Sequence, residues 1–147
     1  MSLIENKKVR LNYEILETYT AGIELFGFEV KSLRNRLGSL EGAHITVRGA
    51  EAYLIAANIP AFQPKNAPKD YDPVRNRKLL LSKKELNHLS GMEGQKGLTI
   101  VPLLVYNKGR FLKVDIAVVR GKKKFDKRET LKLRDAKRDI ERTLKRE

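Results

Sequence analysis

The chain has 147 residues, enough for one domain with a sizeable core, because a chain of this length buries roughly 70% of the surface its unfolded form exposes. Lys and Arg number 31 against 18 Asp and Glu, a net charge of +13, and cysteine is absent. This excludes a disulfide framework, a thiolate metal cluster and a cysteine nucleophile, and it makes a polyanion the first partner to consider, through Coulomb attraction and counterion release. No apolar run approaches the roughly 18 residues of a membrane span, no amphipathic helix carries a large aromatic face, and the opening residues lack the apolar segment of a signal peptide. A cytoplasmic protein with no membrane partner is expected.

In chain order, Tyr13, Ile15, Glu17 and Tyr19 alternate with Asn12, Glu14, Leu16 and Thr18, and the run continues through Ala21-Gly22 to Ile23, Leu25 and Phe26. This predicts a long strand bent at the glycine. A helix is predicted over residues 30–37, with Val30, Leu33 and Leu37 on one face. Residues 44–47 and 52–57 flank Arg48-Gly49-Ala50-Glu51 and predict a hairpin. Residues 60–77 hold four of the five prolines and read as an exposed, partly mobile loop. Ser82-Lys83-Lys84-Glu85 fits a capping box, with Leu86 and Leu89 on the buried face and Gly91 as the stop. Residues 98–106 and 111–119 flank Asn107-Lys108-Gly109-Arg110 as a second hairpin, in which Val114, Ile116 and Val118 face away from Lys113, Asp115 and Ala117. Five or six short antiparallel strands with two or three short helices predict a mainly β fold, an OB-like antiparallel barrel that is closed or partly closed.

The body ends near Gly121. Residues 120–147 hold 13 Lys and Arg against 6 Asp and Glu, so these 28 residues carry +7. We therefore divide the chain into a barrel, residues 1–121, and a basic tail, residues 122–147, disordered when free.

A search for catalytic chemistry returns no phosphate-binding glycine loop, no nucleophile elbow and no metal-ligand spacing. His44 and His88 lie far apart, and Asp70 and Asp72 sit in the proline-rich loop as solvated carboxylates. Neither enzyme activity nor a cofactor or metal is expected. Three basic clusters are more informative: Lys7-Lys8-Val9-Arg10, Lys31 to Arg36, and Arg75-Asn76-Arg77-Lys78. Arginine's forked donors match phosphate geometry. Tyr13, Tyr19, Tyr106 and Phe125 lie near cations and have the ring faces that unpaired bases stack on, although each suits a core equally well.

Three ordered motifs carry a family resemblance. Gly27-Phe28-Glu29-Val30-Lys31-Ser32-Leu33-Arg34, Arg77-Lys78-Leu79-Leu80-Leu81 and Gly121-Lys122-Lys123-Lys124-Phe125-Asp126-Lys127-Arg128 resemble the SmpB family's G-x-E-V-K-S-L-R, R-K-L-L-L and G-K-K-x-aromatic-D-K-R. The resemblance implies an OB-fold barrel that grips the tRNA-like domain of tmRNA and delivers it, with elongation factor Tu, to stalled ribosomes. Together with the basic clusters it gives an RNA-facing set of Lys7, Lys8, Thr20, Ala21, Gly22, Glu29, Lys31, Ser32, Arg34, Arg36, Arg75, Arg77, Lys78, Leu80, Ser82, Lys83 and Tyr106. The implied ribosome-facing set is Gly121, Lys122, Lys123, Lys124, Phe125, Asp126, Lys127 and Arg128, lying at the decoding centre and mRNA channel. Thr20 replaces the family's glutamate before Ala-Gly, and Ser82 replaces its His or Asn after R-K-L-L-L. The alternative is a structural RNA-binding or ribosomal protein, which would stay permanently on its subunit.

In the tail, Asp126 and Glu129 fit a variant capping box, and Leu133, Ala136 or Lys137, Ile140 and Leu144 recur at three- and four-residue steps. The stripe is narrow and like charges crowd it, so the helix is expected to form only against rRNA phosphates. Deleting residues 126–147 should leave tmRNA binding by the body largely intact and abolish peptide tagging on stalled ribosomes. Comparing RNA affinity with tagging yield for the truncated chain checks this.

Overall fold

The computed structural model describes residues 2–121 and Arg134. Seven strands, β1 (Ser2–Glu5), β2 (Tyr13–Ile23), β3 (His44–Arg48), β4 (Glu51–Ile55), β5 (Arg77–Leu80), β6 (Leu98–Lys108) and β7 (Phe111–Gly121), join three α-helices, α1 (Val9–Asn12), α2 (Gly27–Arg34) and α3 (Lys83–Glu93). All strand pairs are antiparallel, in the order β1-β6-β7-β2-β5-β4-β3. The sheet curls until β3 comes within 8 Å of β6, but it does not close, and β1 and β3 remain its edges. The expected mainly β architecture holds, in its open form.

Both hairpins form where glycine marks them: Gly49 has φ 61° and Gly109 φ 62°, a region that side chains with a Cβ disfavour. Leu112, Val114, Ile116 and Val118 point into the main core with Leu54, Leu79, Leu89, Ile100 and Leu33, as the period-two alternation requires. On the opposite face of β7 the polar residues stop halfway. Ala117 and Val119 join Val9 and Val101 in a second, smaller core beneath α1, with Tyr13 and Ile15 at its margin. The outer face is thus covered at one end and open at the other.

Some elements depart from expectation. The register slip in β2 falls between Ile15 and Glu17, and Gly22 is paired on both sides. α2 begins about a turn early, because the Glu29 carboxylate accepts the Phe26 backbone N–H at 2.7 Å. The capping box at α3 forms as read, with Glu85 N to Ser82 Oγ at 3.2 Å and Ser82 N to Glu85 Oε1 at 3.1 Å, but the helix runs through Gly91 to Glu93. At its end Glu93 accepts the outward N–H of Val47 on edge strand β3 at 2.6 Å and the Thr46 hydroxyl at 2.9 Å.

The largest departure lies in residues 60–77, which are tied to the body by a buried carboxylate. Glu29 has no exposed surface. Its oxygens accept from Arg75 Nη2 at 2.5 Å, Arg75 Nε at 3.1 Å and Arg77 Nε at 2.8 Å, and the Tyr71 hydroxyl lies 2.8 Å away. Arg77, equally buried, spends its remaining donors on Ala57 O, Arg75 O, Pro73 O and the Tyr71 oxygen, so each of its five N–H groups has an acceptor. Phe28 meets Tyr71 edge-on at 4.7 Å between ring centroids, and the Arg75 guanidinium lies 4.2 Å above the Phe26 ring. Ser32 Oγ adds a bond to Pro60 O at 2.5 Å.

Burial alone would push the Glu29 carboxyl up; the bonds from Arg75, the Phe26 N–H and Tyr71, with the Arg77 charge, outweigh it and hold the group below the usual carboxylate range. A folded carboxyl that titrates lower than the unfolded one stabilises the protein above the unfolded value of about 4.3, and this contribution is lost as pH falls through the folded value. We expect native stability to decline below about pH 4.5 and Glu29→Gln to flatten that decline. At neutral pH, Glu29→Ala should cost about 3–5 kcal/mol, because the buried Arg77 guanidinium and the partly exposed Arg75 lose their counter-charge. Urea unfolding at several pH values measures both effects.

Candidate nucleic-acid interface

The open end of the outer face is built by strand register. Leu80 on β5 pairs with Gly22 on β2, Gly22 with Lys113 on β7, and Lys113 with Tyr106 on β6, which places four residues far apart in sequence in one row. In the next row Thr20 pairs with Asp115, and Asp115 with Leu104. Lys7 flanks Leu104 beyond it. Leu80 is 51% exposed, and a Cβ at position 22 would stand 3.2 Å from its Cβ. The glycine therefore lets Leu80 lie across the sheet. α2 closes one side: Arg34 Nη2 donates to the Arg110 carbonyl at 3.0 Å, and Val30 shares a shallow groove with Gly22, Leu80, Phe111 and Lys113.

Of the residues singled out from the sequence, Thr20, Gly22, Leu80 and Tyr106 meet on this face, with Lys7 and Arg34 beside it, and Lys31 is exposed on α2. Lys78 is half-buried and pairs with Glu51 at 3.2 Å, and Lys8 pairs with Glu41 at 2.6 Å. Ser82 is engaged as the cap of α3; Lys83, in its first turn, and Arg36, after α2, are exposed. Four residues of the set require correction as direct contacts: the side chains of Ala21, Glu29, Ser32 and Arg77 are fully buried. Ala21 points into the main core, and the other three hold residues 57–77 against α2, so none can reach a phosphate from the surface. Arg75 is largely committed to the same carboxylate. Tyr19 packs on the core and donates to Glu17 at 2.7 Å; desolvation, then that carboxylate, pushes its hydroxyl up to about 12. His88 meets the same carboxylate at 2.9 Å. Gly121 ends β7, and Lys122, Lys123, Lys124, Phe125, Asp126, Lys127 and Arg128 lie outside the described residues, as does the helix expected in the tail.

Lys113 and Asp115 lie on the wetter side of β7 that the alternation assigns them, though neither is counted from sequence among the site residues, and Phe111 on the same side is not singled out at all. Parity places all three there, because they alternate with Leu112, Val114 and Ile116 along β7. Among the described residues no group of three or more His, Asp or Glu is placed to hold a metal, and no helix is long and apolar enough to cross a membrane.

Against known proteins, the family model described as SmpB protein matches residues 3–146. The chain belongs to the SmpB family. Among its SmpB relatives, the SsrA-binding protein of Mesoplasma florum is 53% identical over 137 residues, 93% of this chain and 89% of that one. That of Gloeothece citriformis is 48% identical over 144 residues, covering 98% and 93%. A solved structure, "tmRNA-SmpB: a journey to the center of the bacterial ribosome", is similar with a TM-score of 0.70 at 42% identity, over 89% of this chain and 95% of that chain.

Thr20, where the family resemblance places a glutamate, donates to Asp115 Oδ1 at 3.0 Å from the adjacent strand. A glutamate here would stand directly opposite a carboxylate, and like charges at paired positions oppose strand pairing. We expect Thr20→Glu to lower the melting temperature by about one to a few degrees and a further Asp115→Lys to restore it, a coupling that a double-mutant cycle in thermal unfolding reads directly.

Proposed function

We propose that the open outer face binds the tRNA-like domain of tmRNA and that the chain delivers this RNA, together with elongation factor Tu, to ribosomes stalled without a usable codon, so that the nascent peptide is tagged and the ribosome released. The observation that carries the reading is the convergence on one uncovered face of Thr20, Gly22, Leu80 and Tyr106, which lie on three strands, with basic side chains at the rim. A nearly flat surface of mixed apolar and cationic character suits a folded RNA, which is read by shape, backbone and unstacked bases. The protein itself makes and breaks no bonds; it works in the cytoplasm as an adaptor.

Residues 1–121 act as the RNA-gripping body and residues 122–147 as a separate working part. The tail enters the mRNA channel when it is empty, with Phe125 and the cations around it at the decoding centre. A channel filled by mRNA excludes the tail, and this restricts delivery to stalled ribosomes. What supports the division is the abrupt change in charge density after Gly121.

RNA that co-purifies from the native cell should be strongly enriched in tmRNA; recovery of rRNA alone would favour a resident ribosomal protein. In vitro, affinity for the tRNA-like domain should fall steeply with salt, with a log–log slope of about −0.7 to −0.9 per phosphate neutralised. Replacing Lys31, Arg34, Lys78 and Lys113 together by Gln should flatten that slope by about two to four units. An unchanged slope would remove this face from the interface.

A further inference from the structure

We propose that Phe111, at the tip of the β6–β7 hairpin, is a stacking platform for an unpaired base of the bound RNA, with Arg110 and Lys113 holding the phosphates on either side. The proposal rests on the RNA-binding reading above and adds to it a base-contacting residue outside the motifs.

Phe111 is 72% exposed, whereas the other exposed large apolar side chains among the described residues lie between 38% and 51%. Its backbone sits on a rigid frame: it pairs with Lys108 in the ladder, across a two-residue turn whose first member, Gly109, has φ 62°. The second turn residue, Arg110, is anchored through its carbonyl by Arg34 of α2. A ring presented on an anchored hairpin loses little freedom when a ligand covers it, so its burial contributes to affinity rather than to ordering the protein.

The neighbours select the ligand. The groove beside the ring contains Arg110 and Lys113 and no carboxylate, and its apolar lining comes from Leu80, which lies over the buried Gly22, and from Val30. An apolar lining next to two cations matches a base with its flanking phosphates, the combination that single-stranded nucleic acid offers and that aromatic platforms in basic grooves recognise. A protein partner fits less well, because the centre of a protein interface is depleted in charge and this ring is bracketed by it. Position 111 also shares its face with Gly22, Lys113 and Asp115, so a base stacked there continues the rows already described.

The chain contains no tryptophan, so Phe111→Trp introduces a single fluorophore at the ring. Titration with the tRNA-like domain of tmRNA should leave the affinity of Phe111→Trp within about twofold of native and strongly quench its emission as the base stacks. Phe111→Ala and Phe111→Leu should each lose about 5- to 150-fold in affinity, the worth of one base–aromatic stack, without altering the salt slope. Arg110→Gln with Lys113→Gln should flatten that slope instead. Because the ring is exposed, thermal unfolding of all Phe111 variants should match native within a few degrees, which separates loss of contact from loss of fold.

Native-like affinity of Phe111→Leu would overturn stacking in favour of plain apolar contact. Native-like affinity of Phe111→Ala would remove the ring from the RNA site while leaving the family reading intact, and a changed oligomeric state in the same variant would assign it to protein contact. Failure of the native chain to bind the RNA would overturn both readings.

Discussion

The structure turns on one carboxylate. Glu29 lies on α2, yet its partners come from the far end of a proline-rich stretch that has few apolar residues with which to fold. Burying a charge is costly unless it is paired and hydrogen-bonded, and here every guanidinium donor of Arg77 and both oxygens of Glu29 are used. An arrangement with so many mutual requirements has a single satisfactory geometry. It fixes the path of residues 57–77, hence the entry of β5 into the sheet, hence the place of Leu80 on the outer face. The chemistry of the proposed interface is thus set by a group buried away from that face.

The outer face illustrates how a site arises from incomplete covering. A strand such as β7 could present apolar residues on both sides along its whole length, provided that both sides were packed. Instead α1 is a single turn and shields only Ala117, Val119 and Val101. Beyond its reach the same side of β7 carries Asp115 and Lys113, and the neighbouring position on β2 is a glycine. The helix length therefore draws the boundary between hidden core and the open face proposed for RNA.

Local patterns in the sequence were enough to specify the two hairpins, α3 with its capping box and the inward face of β7, because each depends on residues within about ten positions of one another. Strand β1 and helix α1 are four residues each, too short for a period to show. The carboxylate knot was illegible for a different reason: Glu29 and Arg77 stand 48 positions apart, and an Arg beside a Lys looks like a phosphate contact until its surroundings are seen. The motifs led through Thr20, Gly22 and Leu80 to a single face of the sheet, but the same motifs mixed surface residues with residues that hold the fold, since sequence similarity marks both kinds alike. Phe111 stood outside every motif, and only its parity and its exposure in the fold bring it forward.

An open sheet has two rims, and a rim with vacant donors is a template on which another chain can grow. Glu93 occupies the outward N–H of Val47 and ties the neighbouring threonine hydroxyl. The place where a foreign strand would start to zip is already taken by a side chain of the same molecule, and that side chain is charged. Such a stopper costs the fold nothing in regularity, because it sits at the last turn of a helix rather than in the ladder. It guards one rim of a sheet that leaves a broad face uncovered, and so it separates the surface open to a partner from the edge on which a further strand would add.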